Sequence, residues 1–355
     1  MTLRPETEAE LAGMIRAATG SLAIRGGGTR GASVAGEALE TGGLSGVRLY
    51  EPGALTLVAG AGMPLAEVAA LLAGEGQRLA FEPPDFRALL GRMGVSTLGG
   101  IAASNASGPR RVQAGAARDH LMGLRFVDGR GEVIKNGGRV MKNVTGLDLV
   151  KLLAGSWGTL GVITEVSLKL QALPEAQATL QRPATAGEAV AVMTAALGSP
   201  YDVSGAGWIG GRVLIRLEGM AGSVTYRAGQ MRRLLGGDWE IGEGAADWVA
   251  LRDVTPFAGR AGEVWRCILR PSDAARFAAA VGGEALFDWG GGLVWLLVDG
   301  APVREVLGGF GGHATLLRGD SAPAFPPENA AVAALSRGLR QKFDPRGILN
   351  RGLMG

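Results

Sequence analysis

The sequence predicts an α+β fold with two lobes. Its first half joins short strand-like runs through glycine-rich turns, which is typical of a sheet with many tight connections. Its second half reads strand, helix, two strands, helix, strand, and this order then recurs approximately; it suits an antiparallel sheet covered by helices. The patterning relaxes at Pro174. We therefore expect one domain over 1–173, a second over 174–340 and a tail over 341–355.

Local patterns predict the elements of the first domain. A helix is expected over Thr7–Ala18, because Thr7 is a good N-cap and Glu10 follows at capping-box spacing. Another is expected over Pro64–Gly74, which begins with proline. The alternating run "GVITEVSLKL" predicts a half-buried strand. The other predicted strands are "SLAIR", "GVRLYEP", "LTLVAGAG", "QRLAFEPP" and a hairpin over "LMGLRFVDGRGEVIKNG" that turns at Asp128-Gly129.

The second domain is predicted from alternating helical and strand patterns. The expected helices are Ala186–Leu197, Ser223–Leu235, Asp273–Val281, Val303–Gly308 and Glu328–Phe343. The expected strands lie near Trp208–Leu217, Glu263–Leu269, Ala285–Leu297 and His313–Arg318. The stretch "FDWGGGLVWLL" is unusually apolar for a solvent-facing hairpin, so it predicts a partner surface.

Composition excludes several classes of protein. The chain is 47% hydrophobic and 19% charged, which fits a folded globular protein rather than a disordered one. Its net charge of +3 comes without a clustered basic face, which argues against nucleic-acid binding. The single cysteine, Cys267, excludes an intrachain disulfide and a cysteine-held iron–sulfur cluster, and we expect it to be a buried apolar residue. With no apolar signal region near the N-terminus, a cytoplasmic location is expected.

Three glycine-rich turns, "IRGGGTRG", "STLGGIAASNASG" and "GSWGTLGVITEVSLKL", are the strongest functional signal. Glycine lets backbone N–H groups approach a ligand closely, and successive N–H groups in such turns bind anions. Gly26, Gly28 and Gly31 also satisfy the dinucleotide motif G-x-G-x-x-G, but no sustained helical pattern follows, which disfavours a Rossmann site. The turns therefore predict a large phosphate-bearing cofactor held along backbone.

The order of these motifs resembles the PCMH-type FAD-binding domain of the vanillyl-alcohol oxidase family. The "RGGGT" loop, "EPGALTLVAGAGMPLAEVAALL", "EPP" and the two later glycine turns follow one another as in that family, and the tail "FDPRGILNRG" completes the match. Finer strings, such as "SGPRRVQAGAARDHLMGLRF" and "GGHATLLRG", are similar to the FAD-binding subunits of glycolate oxidases. The resemblance implies a PCMH-type domain followed by an α+β antiparallel cap domain, with FAD as cofactor.

The resemblance also implies which residues hold FAD. The first loop would wrap the pyrophosphate, the second would line the pyrophosphate and the flavin edge, and the third would run past the adenine half. Pro83 and Pro84 would form a rigid turn beside the cofactor, and Asn350 would lie near the isoalloxazine. The implied loop residues are Arg25, Gly26, Gly27, Gly28, Thr29, Arg30, Gly31, Ser96, Thr97, Gly99, Gly100, Asn105, Ser107, Gly108, Gly161, Val162 and Ile163.

The chain departs from the family pattern at informative positions. Thr29 stands where members with covalently bound flavin often have histidine, so we expect dissociable FAD. The chain has two histidines, of which only His313 lies in the second domain, so no two-histidine metal site is expected. Arg351 replaces the proline of the family's tail motif.

Three residues are candidates for catalysis. Arg110 and Arg111 follow the second glycine turn and would stabilise the reduced flavin or a substrate carboxylate; alternatively they pair with Asp119, Asp128 or another surface acid. His313 is a candidate general base, against the alternative of a core histidine satisfied by backbone.

The resemblance implies a subunit of a glycolate-oxidising complex. Its partners would be a larger FAD-bearing, substrate-oxidising subunit and an iron–sulfur subunit, which would also bring it to the inner membrane. A self-sufficient FAD-dependent 2-hydroxy-acid dehydrogenase and a cofactor-free scaffold are the two alternatives.

Overall fold

Two large antiparallel sheets organise the chain, one in each half of the sequence. The computed structural model describes residues 2–31, 34–138 and 146–354. The first-half sheet contains β4 (Val47–Glu51), β5 (Thr56–Gly60), β7 (Leu121–Val127), β8 (Val133–Gly137) and β9 (Val162–Lys169), in the order β4-β5-β9-β7-β8. Beside it lie a parallel sheet of β1 (Thr2–Leu3), β2 (Leu22–Arg25) and β3 (Glu37–Glu40), and a pair of β6 (Gln77–Arg78) and β10 (Gln171–Ala172). We call the part up to Ala172 the first lobe.

Short helices connect the strands of the first lobe. In the first of them the Thr7 hydroxyl accepts a hydrogen bond from the Glu10 amide, as predicted, whereas the Glu10 carboxylate bonds the amide of Glu6 rather than that of Thr7. The helices are α1 (Glu8–Ala17), α2 (Leu65–Gly74), α3 (Arg87–Leu90), α4 (Leu98–Ser104), α5 (Arg111–Ala114), α6 (Ala117–His120) and α7 (Leu149–Leu153).

The second lobe, Ala176–Arg318, is built on one eight-stranded antiparallel sheet. Its strands are β11 (Ala176–Pro183), β12 (Val203–Ile209), β13 (Arg212–Gly219), β14 (Glu240–Gly242), β15 (Glu263–Ile268), β16 (Glu284–Asp288), β17 (Leu293–Val298) and β18 (His313–Arg318), in the order β14-β11-β13-β12-β16-β17-β15-β18. The helices are α8 (Ala186–Leu197), α9 (Ala221–Leu235), α10 (Ala245–Asp253), α11 (Ala274–Val281) and α12 (Val303–Gly308), followed by α13 (Ala330–Phe343).

The two faces of this sheet pack differently. One face, with Trp265, Cys267 and Leu296, is buried in the core formed with α8, α9, α11 and α12. The other carries Leu293 and Trp295 and packs against α10 and residues of the first lobe such as Phe86. Cys267 is fully buried, as predicted, and burial raises the pKa of its thiol to about 12. The predicted α+β fold is thus confirmed, and the second face lies between the lobes.

Several local predictions were wrong. β9 is largely buried on both faces, because α4 packs against one face and Val162 packs with Leu11 and Ile15 of α1 on the other. The expected strand at 77–84 pairs only over Gln77–Arg78, since the chain then turns at Glu82, whose φ is +51°. The segments near Trp208–Leu217 and Ala285–Leu297 are each a hairpin of two strands. β17 is entirely buried within the sheet, so "FDWGGGLVWLL" offers no partner surface there, and α10 was not predicted.

A buried ion network joins the two lobes. Glu82 of the first lobe accepts two hydrogen bonds from the Arg216 guanidinium of the second lobe, at 3.1 and 3.0 Å. Glu218 of the second lobe accepts from Arg110 at 2.9 and 3.0 Å and from Arg78 at 2.7 Å. Both carboxylates are almost fully buried. The network therefore fixes the lobes against each other, since removing one partner would leave a buried charge uncompensated.

This network predicts acid sensitivity. Burial alone would raise the pKa of Glu218, but the hydrogen bonds and charge of Arg110, with the charges of Arg216 and Arg78, lower it from 4.5 to about 2. Because the folded-state pKa is depressed, the stabilisation is complete above the unfolded-state pKa and is lost as the pH falls towards about 2. We expect the free energy of unfolding to fall by about 3 kcal/mol over that range from this group. Urea unfolding at stepped pH measures this fall. If the free energy of unfolding of Glu218→Gln fell equally steeply over the same pH range, Glu218 would not be its source.

Among the described residues, no helix is long and apolar enough to cross a bilayer.

Candidate functional site

The first glycine loop forms one wall of a cavity with backbone rather than side chains. Gly28 has φ +68°, and a Cβ on Gly27 would lie 1.6 Å from the Val95 carbonyl oxygen, so the two loops touch backbone to backbone. Within the described residues, the amides of Gly26, Gly27, Gly28 and Thr29 donate no hydrogen bond to protein. Free, adjacent amides on a cavity wall can bind an anion such as a phosphate.

The second and third glycine turns complete this first cavity. Gly100 and Gly161 line it together with the first loop, and its empty space of about 760 Å³ is partly open to solvent. A Cβ on Gly100 would meet only the Thr97 hydroxyl, at 3.3 Å, so its Cα faces open space. The predicted residues that line this cavity are Arg25, Gly26, Gly27, Gly28, Thr29, Arg30, Thr97, Gly99, Gly100, Gly161, Val162, Ile163 and Asn350.

Asn350 ties the tail to this cavity through its side-chain amide. Its Oδ1 accepts from the Ile24 amide at 2.7 Å, and its Nδ2 donates to the Trp157 carbonyl at 2.7 Å. These bonds hold β2 and the third turn together. Asn350 therefore positions two walls of the cavity, a role that the sequence did not indicate.

A second cavity adjoins the first and shares Arg30 and Trp157 with it. It contains about 1420 Å³ of empty space between the first lobe and the second face of the large sheet. The predicted residues that line it are Arg30, Pro84, Asn105, Ser107, Gly108, Arg111 and His313. Gly31, Pro83 and Ser96 line neither cavity, although Ser96 accepts a hydrogen bond from Arg30 at 3.1 Å.

Arg30 lies where the two cavities meet, and part of its guanidinium has no hydrogen-bond acceptor among the described residues. Its Nη2 donates to the Pro84 carbonyl at 3.0 Å and to Ser96, but its buried Nε and Nη1 have no partner in the described chain. Burial lowers the pKa of this guanidinium to about 10, so it remains charged at neutral pH. Unpaired buried donors are costly unless a ligand satisfies them, and here a ligand spanning both cavities would do so.

The predicted catalytic residues have different fates. Arg110 lies outside the linings of both cavities, because its guanidinium is held by the buried acids Glu218 and Glu82. It is therefore not placed to contact a flavin there, and the acids that pair with it are buried rather than on the surface. Arg111 lines the second cavity and stacks over the Trp289 ring at 4.4 Å. His313 also lines it at the start of β18; the residue is partly exposed, and the partial desolvation of its ring, with the charge of Arg266, lowers its pKa. In the described part of the chain no acid orients it.

Two residues of this cavity were missed from sequence. Arg266 on β15 lies over the Trp289 ring at 5.2 Å, and its pKa falls to about 10 through burial and the charge of Arg111. Asp288 ends β16, is almost fully buried and accepts a hydrogen bond from the Trp289 amide at 2.7 Å. Burial raises its pKa to about 7 despite that hydrogen bond. The only available signal was one arginine within the otherwise apolar alternation of "VWRCIL".

Asp288 predicts a pH effect opposite to that of Glu218. Its folded-state pKa lies above the unfolded value, so its contribution to the free energy of unfolding decreases as the pH rises from about 4 through about 7. We expect Asp288→Asn to be more stable than wild type at about pH 8 and similar to it at about pH 4. Thermal unfolding at both pH values measures this. A variant less stable at the higher pH would show that the charged form is favoured there.

The paired cavities suit FAD in their chemistry. The first offers free amides and close-packed glycines suited to a pyrophosphate, and the second has about 1420 Å³ of empty space and unpaired cations on its walls. In the described residues, no group of histidines, cysteines and acids is arranged to hold a metal ion.

Comparisons with known proteins agree with this site. A family model described as an FAD binding domain matches residues 1–137. Glycolate oxidase subunit GlcE of Escherichia coli (strain K12) is 37% identical over 328 residues, covering 91% of this chain and 89% of that protein. Glycolate oxidase subunit GlcD of Bacillus subtilis (strain 168) is 42% identical over 100 residues, which are 28% of this chain and 20% of that protein.

A solved structure of alkyldihydroxyacetonephosphate synthase shares the fold, with a TM-score of 0.72 at 16% identity over 98% of this chain and 75% of the other. The match to GlcE over 91% of the chain also fits the cavity built from the three glycine turns. The chain therefore belongs to the PCMH-type FAD-binding family, to the group of the glycolate oxidase subunit GlcE, and its cofactor is FAD.

Proposed function

We propose that this chain is the FAD-binding subunit of a glycolate oxidase complex that converts glycolate to glyoxylate. The observation that carries the proposal is the similarity to GlcE along 91% of the chain. In the proposed complex a larger FAD-bearing subunit oxidises the substrate, and an iron–sulfur subunit takes up the electrons. When bound, the flavin supplies the redox chemistry, and this chain binds and orients it.

The FAD of this chain is proposed to be dissociable. Thr29 is buried and lines the first cavity at the position where covalent members often have histidine. Acid precipitation of the purified protein is expected to leave its flavin in the supernatant, whereas a yellow pellet would indicate a covalent bond. Failure of the purified chain to retain or take up FAD would instead support the scaffold alternative.

The principal test is reconstitution. The chain is coexpressed with the larger FAD-bearing subunit and the iron–sulfur subunit, and copurification and glycolate-dependent reduction of a dye are measured. We expect all three subunits to copurify and activity to need all three. Full glycolate-dependent dye reduction by the larger subunit purified alone would contradict the proposal. The proposed location is cytoplasmic, peripheral to the inner membrane through these partners.

A second candidate is a self-sufficient 2-hydroxy-acid dehydrogenase. It is favoured by the second cavity, where Arg111, Arg266, Asp288 and His313 offer groups for a carboxylate and a proton. Anaerobic mixing of the isolated FAD-loaded chain with glycolate or D-lactate separates the two. Rapid bleaching of the flavin absorbance would establish this second function, and a stable spectrum would leave substrate oxidation to the partner.

A further inference from the structure

The floor of the second cavity is one face of three neighbouring strands. Arg266 on β15 lies opposite Trp295 of β17 on one side and Thr315 of β18 on the other, and all three line the cavity. Ile268 and Leu293 continue the same face. Within the described lining, these strands contribute one arginine to an otherwise mostly apolar surface, so its charge is not an ordinary feature of this face.

The charge of Arg266 is only partly compensated by the protein, since Asp288 favours it whereas burial and the charge of Arg111 oppose it. In the described chain it forms no ion pair, and its close aromatic neighbour, Trp289, also carries the guanidinium of Arg111. Arg216, in contrast, is buried with two hydrogen bonds to a carboxylate. Two adjacent cations in a partly enclosed cavity repel each other, and an anion between them would remove that cost.

In the described chain, the acid on this face forms no ion pair with either arginine. Asp288 lines the cavity, but one oxygen of its carboxylate accepts a hydrogen bond from the Trp289 amide, and burial raises its pKa to about 7, so the group is only partly ionised at neutral pH. The other oxygen, Oδ2, has no hydrogen-bond partner in the described chain and is available to a ligand hydroxyl or carbonyl.

We propose that Arg266, assisted by Arg111, anchors the carboxylate of a small ligand in the second cavity, with Asp288 as the hydrogen-bonding partner of its α-substituent. The planar fork of arginine suits a carboxylate, which it binds through two parallel hydrogen bonds. The ligand class is short 2-hydroxy and 2-oxo carboxylates. That class rests on the proposed function, whereas the carboxylate site rests on two adjacent cations that form no ion pair in the described chain.

The test is calorimetric titration of the FAD-loaded chain with oxalate, which has no C–H bond to oxidise. We expect saturable binding by wild type, and about a tenfold to hundredfold weaker binding by Arg266→Met, as for a lost hydrogen-bonded charge pair. Arg276→Met is the matched control, because Arg276 also lies over an aromatic ring, Phe310, but on the exposed surface of α11. It is expected to bind oxalate as wild type does.

A structural role for Arg266 would give a different result. If its charge serves a ligand, Arg266→Met should keep its flavin spectrum and unfold at the same or a higher temperature than wild type; a clearly lower one would overturn the proposal. Arg266→Lys keeps the charge without the fork and is expected to weaken oxalate binding severalfold. Failure of wild type to bind oxalate would also overturn the proposal, and so would binding of oxalate by both Arg266 variants as tightly as by wild type. Oxalate binding without copurification of partners would refute only the proposed complex.

Discussion

Gly100→Leu is expected to abolish retention of FAD while leaving the fold intact. Gly100 has helical backbone in α4, and an added Cβ would meet only the Thr97 hydroxyl at 3.3 Å, so a shift of a few tenths of an ångström in that hydroxyl is enough to admit a side chain. Beyond Cβ, the leucine would project into the first cavity and occupy the space of the cofactor. We expect the Kd for FAD to rise at least about a hundredfold, or about 2.7 kcal/mol. The flavin-to-protein absorbance ratio and a titration with added FAD measure the effect.

Gly187→Leu is the matched control for this experiment. Gly187 lies in the first turn of α8, is exposed and has no atom within 4 Å of an added Cβ, so the same substitution should leave the flavin content unchanged. Gly27 is a poorer probe, because its Cβ would collide with the Val95 backbone and deform the loop itself. If Gly100→Leu purified with a full complement of FAD, the cofactor would have to lie elsewhere.

The glycine turns were predictable because their information is local. A turn with positive φ at Gly28 and close backbone contact at Gly27 requires glycine at those positions, and the sequence records that requirement directly. The order of the motifs then predicted that three distant turns meet, and the structure places Thr97 and Gly161 in the same cavity as the first loop. Strand patterns likewise predicted the antiparallel sheet of the second lobe.

The charged residues were harder to assign, because their partners are distant in sequence. Arg110 follows the second glycine turn, yet its guanidinium is taken by Glu218, 108 positions away. Alternation indicates that Arg266 and Trp265 face opposite ways but not which face meets a cavity. The role of Asp288 depends on burial between the lobes, which no local pattern records.

Arg216→Met is expected to cause the largest loss of stability of any single change considered. Arg216 is 1% exposed, gives Glu82 two hydrogen bonds and also bonds the hydroxyl and carbonyl of Ser204. Methionine would keep much of the packing over Trp248 but leave Glu82 with Arg110 alone. Breaking such a buried pair costs about 3–5 kcal/mol, and chemical denaturation of the apoprotein measures it.

Arg212→Met separates burial from the mere loss of an ion pair. Arg212 lies on the same strand, β13, but its partner Glu240 and its own side chain are exposed at 70% and 40%, so water screens the pair. The loss there should be at most about 1 kcal/mol. The double change Glu82→Gln with Arg216→Met removes both opposing charges and should recover part of the stability lost in Arg216→Met, since the uncompensated carboxylate is then gone. If Arg216→Met and Arg212→Met lost equal free energy of unfolding, burial would not strengthen the ion network between the lobes.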